Sequence, residues 1–179
     1  MANLQSDEDL IAESRKGDML AFKALVERHE GKVAGMIKSM LGDTPESVDV
    51  GQEVFIRFYE SLEKFKGESS LGTYLVRIAI NLSLNELKRR KRRNSFFSPA
   101  EDGIHVSGND RNNDLKEIVD QEIRNLDSDF RMVVILRMVE GYSTEETAQI
   151  LNIPLGTVLS RLSRAQKKLK LVLAKHLEL

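Results

Sequence analysis

Apolar residues in the last third of the chain recur every three or four positions, which is the period of an α-helix. The stretch NIPLGTVLSRLSRAQKKLK, residues 152–170, shows this pattern most clearly. Its apolar positions, continued one turn beyond the stretch, are Leu155, Val158, Leu162, Ala165, Leu169 and Val172. One face of this helix is therefore predicted to lie in a core, and the opposite face to meet solvent or a partner.

The opposite face is small and hydroxyl-bearing at its start and cationic further on. Its residues are Gly156, Thr157, Leu159, Ser160, Ser163, Arg164 and Lys167, and Arg161 adds a further donor. A merely solvated helix normally carries Glu and Lys in its first exposed turns. Short side chains followed by Arg are instead typical of a helix that enters the major groove of DNA. Taken alone, the segment could still be a helix with a solvated basic face.

The residues before this helix predict a second, shorter helix. In GYSTEETAQILNIP, Ser143 is a suitable N-cap and Glu146 completes a capping box. The short helix is predicted to end at Leu151, because Asn152 tolerates the left-handed conformation and Pro154 suits the first turn of the next helix. Such a pair forms a helix-turn-helix. The supporting core helix is predicted in DFRMVVILRMVEG, through Met132, Val133, Ile135, Leu136 and Val139.

The N-terminal region predicts three helices, at about 7–28, 30–41 and 45–65, the last with Thr44 as N-cap and Pro45 in its first turn. The core face of the third helix carries Val50, Val54, Phe55, Phe58, Leu62 and Phe65. Its opposite face carries Asp49, Gln52, Glu53, Ile56 and Glu60 in one stripe. A lone exposed isoleucine is common. Flanked by carboxylates and an amide, it also fits the centre of a protein docking surface.

A further helix is predicted from Leu71 into the six consecutive cations Lys88–Arg93. A solvated helix end or a localisation tag is one interpretation of such a run. Because the cations continue an ordered helix, a nucleic-acid surface is the other. The same helix carries Thr73, Tyr74, Arg77, Asn81 and Asn85. Aromatic rings stack on unpaired bases and amides bind base edges. No stretch suggests a strand, so the predicted fold is all-α.

The composition limits the classes of protein that fit. The chain has 179 residues, of which 41% are hydrophobic and 31% charged, which indicates one or two small globular domains. The absence of cysteine and the scatter of the three histidines argue against disulfides and a zinc site, and no cofactor is expected. No apolar run reaches about 18 residues, so we expect a cytoplasmic protein without direct membrane insertion.

The net charge of −1 hides an alternation of charge along the chain. Residues 1–63 carry 7 basic and 13 acidic side chains, and residues 101–147 carry 5 and 12. Residues 64–100 carry 9 and 2, and residues 148–179 carry 6 and 1. Two separate surfaces are therefore predicted to meet a polyanion. Asn, Ser, Gly and Asp are frequent between the basic blocks, where a flexible linker, 95–113, is predicted to join two small helical domains, 1–94 and 114–179.

Three segments together resemble the extracytoplasmic-function (ECF) sigma factors over nearly the whole chain. They are KGDMLAFKALVERHEGKV, DVGQEVFIRFYESLEKFKGESSLGTYLVRIAINL and GYSTEETAQILNIPLGTVLSRLSRAQKKL. The resemblance implies a region 2 domain and a region 4 domain in a transcription initiation factor that directs RNA polymerase to promoters and helps to melt them. The implied partners are the polymerase core, through the clamp helices of its largest subunit and the flap of its second-largest subunit, promoter DNA and an anti-sigma factor.

The resemblance also implies roles for single residues. The core-binding stripe is Asp49, Gln52, Glu53, Ile56 and Glu60. Minus-ten recognition and the DNA backbone beside it are implied for Lys66, Ser69, Ser70, Thr73, Tyr74, Arg77, Asn81, Asn85, Lys88, Arg89 and Arg90. Minus-thirty-five recognition is implied for Gly156, Thr157, Leu159, Ser160, Arg161, Ser163, Arg164 and Lys167. Tyr74 stands where the family more often has Trp. Leu159 stands where a cationic or polar residue is usual, which leaves the promoter sequence open.

Two other classes of protein share parts of this pattern. A helix-turn-helix activator or repressor would share the C-terminal third, but it would bind its operator alone and would not need the acidic stripe. A nucleic-acid enzyme would use the basic helices to hold its substrate, but the carboxylates fall on separate helix faces or in the linker. No catalytic residue is predicted. Base flipping costs only a few kcal/mol, which a pocket for the extruded base offsets, so melting needs no ATP.

Overall fold

The structure, a computed structural model, describes residues 5–96 and 111–176, and within these ranges every regular element is helical. The elements are α1 (Asp7–Arg15), α2 (Met19–Leu41), α3 (Pro45–Ser61), a 3₁₀ turn (Leu62–Lys64), α4 (Leu71–Phe96), α5 (Arg111–Asn125), α6 (Ser128–Val134), a π-helical turn (Ile135–Val139), α7 (Thr144–Leu151) and α8 (Leu155–His176). The predicted all-α class is confirmed.

The chain divides into two compact units. The first unit consists of residues 1–38 and 43–83, and the second of residues 39–42 and 84–179. Helix α4 begins in the first unit and ends in the second. The predicted domains 1–94 and 114–179 stay a prediction, and most of the predicted linker, residues 97–110, lies outside the described residues.

The break between the first two helices lies at residues 16–18, whereas the sequence predicted it between the helices 7–28 and 30–41, so the predicted position of this break is wrong. Gly17 takes a φ of +93°, a conformation that glycine adopts without strain and that ends α1. The Asp18 carboxylate then accepts hydrogen bonds from the backbone N–H groups of Leu20 at 2.8 Å and Ala21 at 3.2 Å. Helix α2 continues through residues 29 and 30, because its buried positions keep the helical period on both sides of them.

An aromatic cluster occupies the core of the first unit. Phe58 of α3 is fully buried, and its ring centroid lies 5.9 Å from that of Phe22 and 6.1 Å from that of Phe65. Val54 and Leu62, also predicted in the core, are buried with it. Thr44 precedes α3 in an extended conformation, and its backbone N–H donates to Ser47 Oγ at 3.2 Å. The core face of α3 is therefore held inward and the predicted stripe is turned outward.

The second unit contains the predicted helix-turn-helix. Ser143 Oγ accepts from the Glu146 N–H at 3.0 Å, and the Glu146 carboxylate accepts from the Ser143 N–H at 2.7 Å, so the predicted capping box is confirmed. Asn152 ends α7 in the left-handed conformation, with φ 51° and ψ 49°, as predicted. Helix α8 packs on α5, α6 and α7. Its buried residues are Val158, Ala165 and Leu169.

Two residues predicted to lie in this core are exposed. Val139 is 50% exposed, because the supporting helix widens into the π-helical turn and its last residues rotate away from the core. The turn ends where the Glu140 N–H donates to the Ile135 carbonyl at 2.8 Å. Leu155 is 40% exposed because it is the first residue of α8 and precedes the part of the helix that the core covers.

Candidate protein and nucleic-acid interfaces

The outer face of α3 presents the stripe of acidic and amide residues around one isoleucine. Ile56 is 53% exposed, and Asp49, Gln52 and Glu60 are exposed on the same helix. Glu53 is half-buried, and its carboxylate accepts a hydrogen bond from Arg57 Nε at 2.7 Å. The α-helix holds all of these side chains in a fixed order, so the stripe is a preformed surface.

The apolar part of this surface is larger than the sequence indicated. Val48 is 60% exposed and Tyr59 is 45% exposed. The Tyr59 hydroxyl donates to Met19 Sδ at 3.7 Å, which extends the surface to the start of α2. The signal in the sequence was the helical spacing of residues 48, 52, 56 and 59, which places Val48 and Tyr59 on the face of Ile56.

A groove of about 530 Å³ runs between α2 and α3 beside the stripe. Its apolar lining includes Val26, Val33, Ala34, Val48 and Phe55, and Gln52 of the stripe also lines it. Phe55 was predicted in the core and is half-buried in this groove. Lys38 donates to the Asp43 carboxylate at 2.7 Å, and this hydrogen bond lowers the pKa of Asp43.

The segment before α4 is tied to α1. Arg15 Nε donates to the Leu62 carbonyl at 3.1 Å, and the same guanidinium also donates to the Phe65 carbonyl. Ser70 caps α4, since its Oγ accepts from the Thr73 N–H at 3.2 Å and donates to Thr73 Oγ1 at 2.9 Å. Arg15 therefore positions the chain that leads into the predicted minus-ten loop. Sequence reasoning missed it, because a basic residue in the last turn of a helix is ordinary.

Tyr74 is held in place by other aromatic residues. Its ring centroid lies 4.9 Å from that of Phe65 and 6.2 Å from that of Phe58, and its hydroxyl donates to Ser61 Oγ at 3.1 Å. Tyr74 and Phe65 are both half-buried. A base that reached Tyr74 would meet a fixed ring with Phe65 beside it.

The middle of α4 offers amides to solvent, as predicted. Asn81 and Asn85 are exposed one turn apart, and Thr73 and Arg77 are half-buried on the turns before them. Lys66 and Ser70 are exposed in and after the preceding loop, whereas Ser69 is half-buried.

Glu86 binds two of the cations that follow it on α4. Its side chain is 8% exposed, and its carboxylate accepts from Arg89 Nε at 2.8 Å and from Arg90 Nε at 3.3 Å. Arg90 also donates to the Leu41 carbonyl at 3.1 Å, and its side chain is only 22% exposed. Arg90 therefore ties α4 to the end of α2, whereas Lys88 and Arg89 are exposed.

The outer face of α8 shows the predicted order of small residues followed by cations. Leu159 is 50% exposed, and the other exposed residues of the predicted face are Gly156, Ser160, Ser163, Arg164 and Lys167. Thr157 is half-buried, and its carbonyl accepts from Ser160 Oγ at 3.0 Å. A Cβ at Gly156 would meet no atom within 4 Å, so the fold does not require glycine there.

Some cations of α8 bind the rest of the second unit. Arg161 donates to the Asp129 carboxylate at 2.6 Å, and Lys168 donates to Asp127 at 3.0 Å. Lys168 also lies 4.8 Å from the centroid of the Phe130 ring. Arg164 and Lys167 have no hydrogen-bond or ion-pair partner among the side chains that the structure describes. The predicted DNA face therefore contains two cations with a solvent-facing charge and one, Arg161, that supports the fold.

The supporting side of the second unit contains a half-buried cation. Arg131 of α6 donates to the Leu126 carbonyl at 3.1 Å and also to the Arg124 carbonyl. Burial lowers the pKa of its guanidinium, and the neighbouring charge of Arg124 lowers it further. Arginine nevertheless stays protonated in proteins, so this cation fixes the turn between α5 and α6.

Neither a metal centre nor a membrane span is found in the described ranges. Residues 5–96 and 111–176 contain no group of three or more His, Cys, Asp and Glu placed to hold a metal ion. Within the same ranges no helix has the length and apolar character needed to cross a bilayer.

Comparison with known proteins relates the chain to one family. Sigma-70 region 2 matches residues 25–93, and Sigma-70, region 4, matches residues 116–169. The ECF RNA polymerase sigma-E factor of Haemophilus influenzae is 37% identical over 185 residues, which cover 95% of this chain and 96% of that protein. CnrH, solved in complex with the cytosolic domain of CnrY, is similar with a TM-score of 0.70 and 26% identity, over 96% of this chain and 99% of CnrH.

A second solved structure is similar to this chain in its fold. RpoE of Bartonella quintana, solved with the anti-sigma factor NepR, is similar with a TM-score of 0.68 and 23% identity, over 85% of this chain and 96% of RpoE. The two Sigma-70 matches, over residues 25–93 and 116–169, define a transcription initiation factor of the sigma-70 type. The chain belongs to the ECF RNA polymerase sigma factors, as the sequence predicted.

Proposed function

We propose that this chain binds RNA polymerase core through the outer face of α3. The observation that carries the proposal is the 53% exposure of Ile56 between Gln52 and Glu60, on a helix within the region 2 match. An apolar centre with a polar rim is the usual anatomy of a protein interface. The clamp helices of the largest polymerase subunit are the partner, and Asp49, Gln52, Glu53, Ile56 and Glu60 are the contact residues.

The minus-ten element is recognised by the loop before α4 and by α4 itself. Tyr74 and Phe65 offer ring surface to an extruded base, and Asn81 and Asn85 offer amides to base edges. Residues proposed to contact this element or the backbone beside it are Lys66, Ser69, Ser70, Thr73, Tyr74, Arg77, Asn81, Asn85, Lys88 and Arg89. Arg90 contributes through its tie to Glu86 and Leu41 and by adding positive potential.

The minus-thirty-five element is read by α8 in the major groove. Gly156, Leu159, Ser160 and Ser163 present small or apolar groups, and Arg164 and Lys167 present charges without partners in the described part of the chain. Small and apolar groups followed by cations fit the base edges and phosphates of the major groove.

Four further assignments complete the proposal. The second unit contacts the flap of the second-largest polymerase subunit, which the exposure of Met138 at 56% and Val139 at 50% supports. An anti-sigma factor covers the polymerase-binding surfaces, and CnrH, a similar fold, has been solved with a bound protein domain. The protein acts in the cytoplasm and is not an enzyme, because polymerase supplies the chemistry.

Transcription with purified components tests the proposal. The full chain is mixed with core polymerase and a library of promoter fragments, and the transcripts are mapped. We expect transcripts with defined starts that depend on the added chain. If no transcript depends on it and the chain alone protects duplex DNA from cleavage, it is a conventional helix-turn-helix regulator and the proposal is wrong.

A further inference from the structure

We infer that Leu159 recognises a thymine in the minus-thirty-five element through the C5-methyl group of that base. The inference rests on the proposed function, since it requires α8 to be the helix that enters the major groove. It goes further by assigning one base type to one residue.

Leu159 lies on the outer face of α8, away from the residues that build the core. The core-facing residues Val158 and Ala165 have no exposed surface, whereas half of Leu159 meets solvent. Leu155 precedes it by four residues and Ser163 follows by four, so these three positions share one side of the helix. The isobutyl group is therefore available to a partner without any change in the fold.

The surroundings of Leu159 favour a base edge over a protein surface. Gly156 leaves open space at the start of α8, and the N-terminal residues of a recognition helix are the ones that contact bases. Arg164, five residues further along the helix, is exposed and has no ion-pair partner among the described side chains. Leu155 and Leu159 form a narrow apolar strip beside short side chains, which fits a methyl group on a base edge better than it fits a broad apolar protein face.

The two residues that directly follow Leu159 make hydrogen bonds within the chain. Ser160 Oγ donates to the Thr157 carbonyl at 3.0 Å, and Arg161 donates to Asp129 at 2.6 Å. This turn of the helix therefore offers apolar surface where other recognition helices offer a donor. Thymine is the unmodified base that carries a methyl group on its major-groove edge. Guanine and adenine would instead leave their polar edges without a partner against leucine.

Deoxyuridine scanning tests the inference on the holoenzyme. Each thymine of the minus-thirty-five element is replaced in turn by deoxyuridine, which pairs normally but lacks the methyl group. We expect one position at which this change lowers transcription by about three- to fivefold, the factor that burial of one methyl group supports. The Leu159→Ala variant is expected to transcribe both templates equally at that position.

Two variants control the experiment. Leu159→Met keeps an apolar side chain of similar reach and is expected to retain the preference for thymine. Leu171→Ala removes a leucine that is 69% exposed elsewhere on α8 and is expected to leave the preference unchanged.

The outcomes separate the inference from the function on which it rests. If transcription depends on the chain but no position distinguishes the wild type from Leu159→Ala, the inference is wrong and the proposed function stands. If Leu159→Ala lowers transcription equally on all templates and weakens core binding, Leu159 contacts protein and the inference is wrong. If the wild-type chain supports no promoter-dependent transcription, the proposed function fails and the inference fails with it.

Discussion

At the scale of single residues, Glu86 limits how much positive charge the cationic run Lys88–Arg93 presents to solvent. Its nearly buried carboxylate binds Arg89 and Arg90, and Arg90 in turn binds the end of α2. A count of six cations from Lys88 to Arg93 therefore overstates the charge that α4 offers to DNA. One carboxylate offsets part of that charge and holds one arginine in a structural role.

Glu86→Gln should separate these two effects. Loss of the carboxylate releases Arg89 and adds one positive charge, so the salt dependence of holoenzyme binding to DNA should steepen by about one ion. The variant should also lose about 1–2 kcal/mol of unfolding free energy, because the charge-assisted hydrogen bonds weaken. Binding titrations at several salt concentrations and urea unfolding measure the two effects. Glu117→Gln, at an exposed position of α5, is the matched charge control. Identical behaviour of the two variants would show that Glu86 has no special role.

Arg161 and Arg164 should differ although both belong to the same predicted DNA face. Arg164 is exposed without an ion-pair partner in the described part of the chain, whereas Arg161 binds Asp129. Arg164→Ala should cost about 1–3 kcal/mol of binding at particular base pairs. Arg161→Ala should lower the unfolding free energy by up to about 1 kcal/mol and leave base preference unchanged. Promoter-library selection and urea unfolding distinguish the two. A uniform loss across sequences in Arg164→Ala would identify a phosphate contact instead.

At the scale of the element, helix α3 combines a core-facing surface and an exposed one. Its inner face carries Phe58 in the aromatic core, and its outer face carries Ile56 with Val48 and Tyr59. The apolar groove beside it is formed jointly with α2. Because the inner face holds the helix in place, the outer face can be altered without unfolding it.

Ile56→Glu should therefore weaken core polymerase binding without loss of helix. A charge at the centre of an apolar contact costs at least about 2 kcal/mol, which is a factor of about 30 in affinity. Co-purification with core measures binding, and circular dichroism measures helical content. Leu171→Glu makes the same kind of change at a 69% exposed leucine of α8, in the other unit. Equal core binding by both variants and the wild type would remove Ile56 from the interface. Gln52→Ala with Glu53→Ala should give a smaller loss.

Helix α1 contacts the segment before the proposed minus-ten loop through Arg15. Arg15→Ala should loosen the segment at Leu62 and Phe65 and reduce promoter melting about fivefold, as the loss of about 1 kcal/mol of hydrogen bonding implies. Permanganate reactivity of thymines near the start site measures melting, and protection of the minus-thirty-five element should be unchanged. Lys16→Ala removes the neighbouring exposed cation, which binds Glu13 of α1, and serves as the control. Melting reduced equally by both variants would contradict a specific role for Arg15.

At the scale of the whole molecule, the sequence predicted the elements better than their ends and exposed surfaces. Helical periodicity identified α3, α4, α7 and α8, and local chemistry identified Ser143 and Asn152 at the limits of α7. The predicted division between α1 and α2 was wrong, because the periodicity of α2 resembles that of α1 and only the pair Gly17 and Asp18 marks the break. The exposure of Val139 could not be predicted, since it depends on a π-helical turn that packing of the second unit selects.

In the candidate sites, too, some features were predicted from the sequence and others were not. The exposure of residues on the outer face of a single helix was predicted, because helical spacing alone places Ile56, Asn81 and Ser163 on the face opposite the core. Contacts between separate elements were not. Arg15 with Leu62, Arg90 with Leu41, and Arg161 with Asp129 bring together residues that are distant in the sequence.

The two units should contribute separately to initiation. Ile56 lies in the first unit and Arg164 in the second, and the proposed partners of the two residues are different macromolecules. In the double variant, Ile56→Glu with Arg164→Ala, the losses in free energy should add within about 0.5 kcal/mol. Transcription at limiting concentrations of the chain, compared among the wild type, both single variants and the double variant, measures the sum. A larger deviation would show that core binding and minus-thirty-five recognition are coupled.

The separation of faces on α8 has a consequence for how such proteins diverge. Val158, Ala165 and Leu169 hold the helix in the second unit, whereas Leu159, Ser160 and Ser163 lie outside that core. Exposed substitutions away from core contacts usually change stability by no more than about 0.5 kcal/mol. On the proposed role of α8, one copy left by gene duplication would acquire new target genes through one or two changes at these positions while it stays folded. The evolutionary freedom of the regulon would then reside in a few side chains that folding does not constrain.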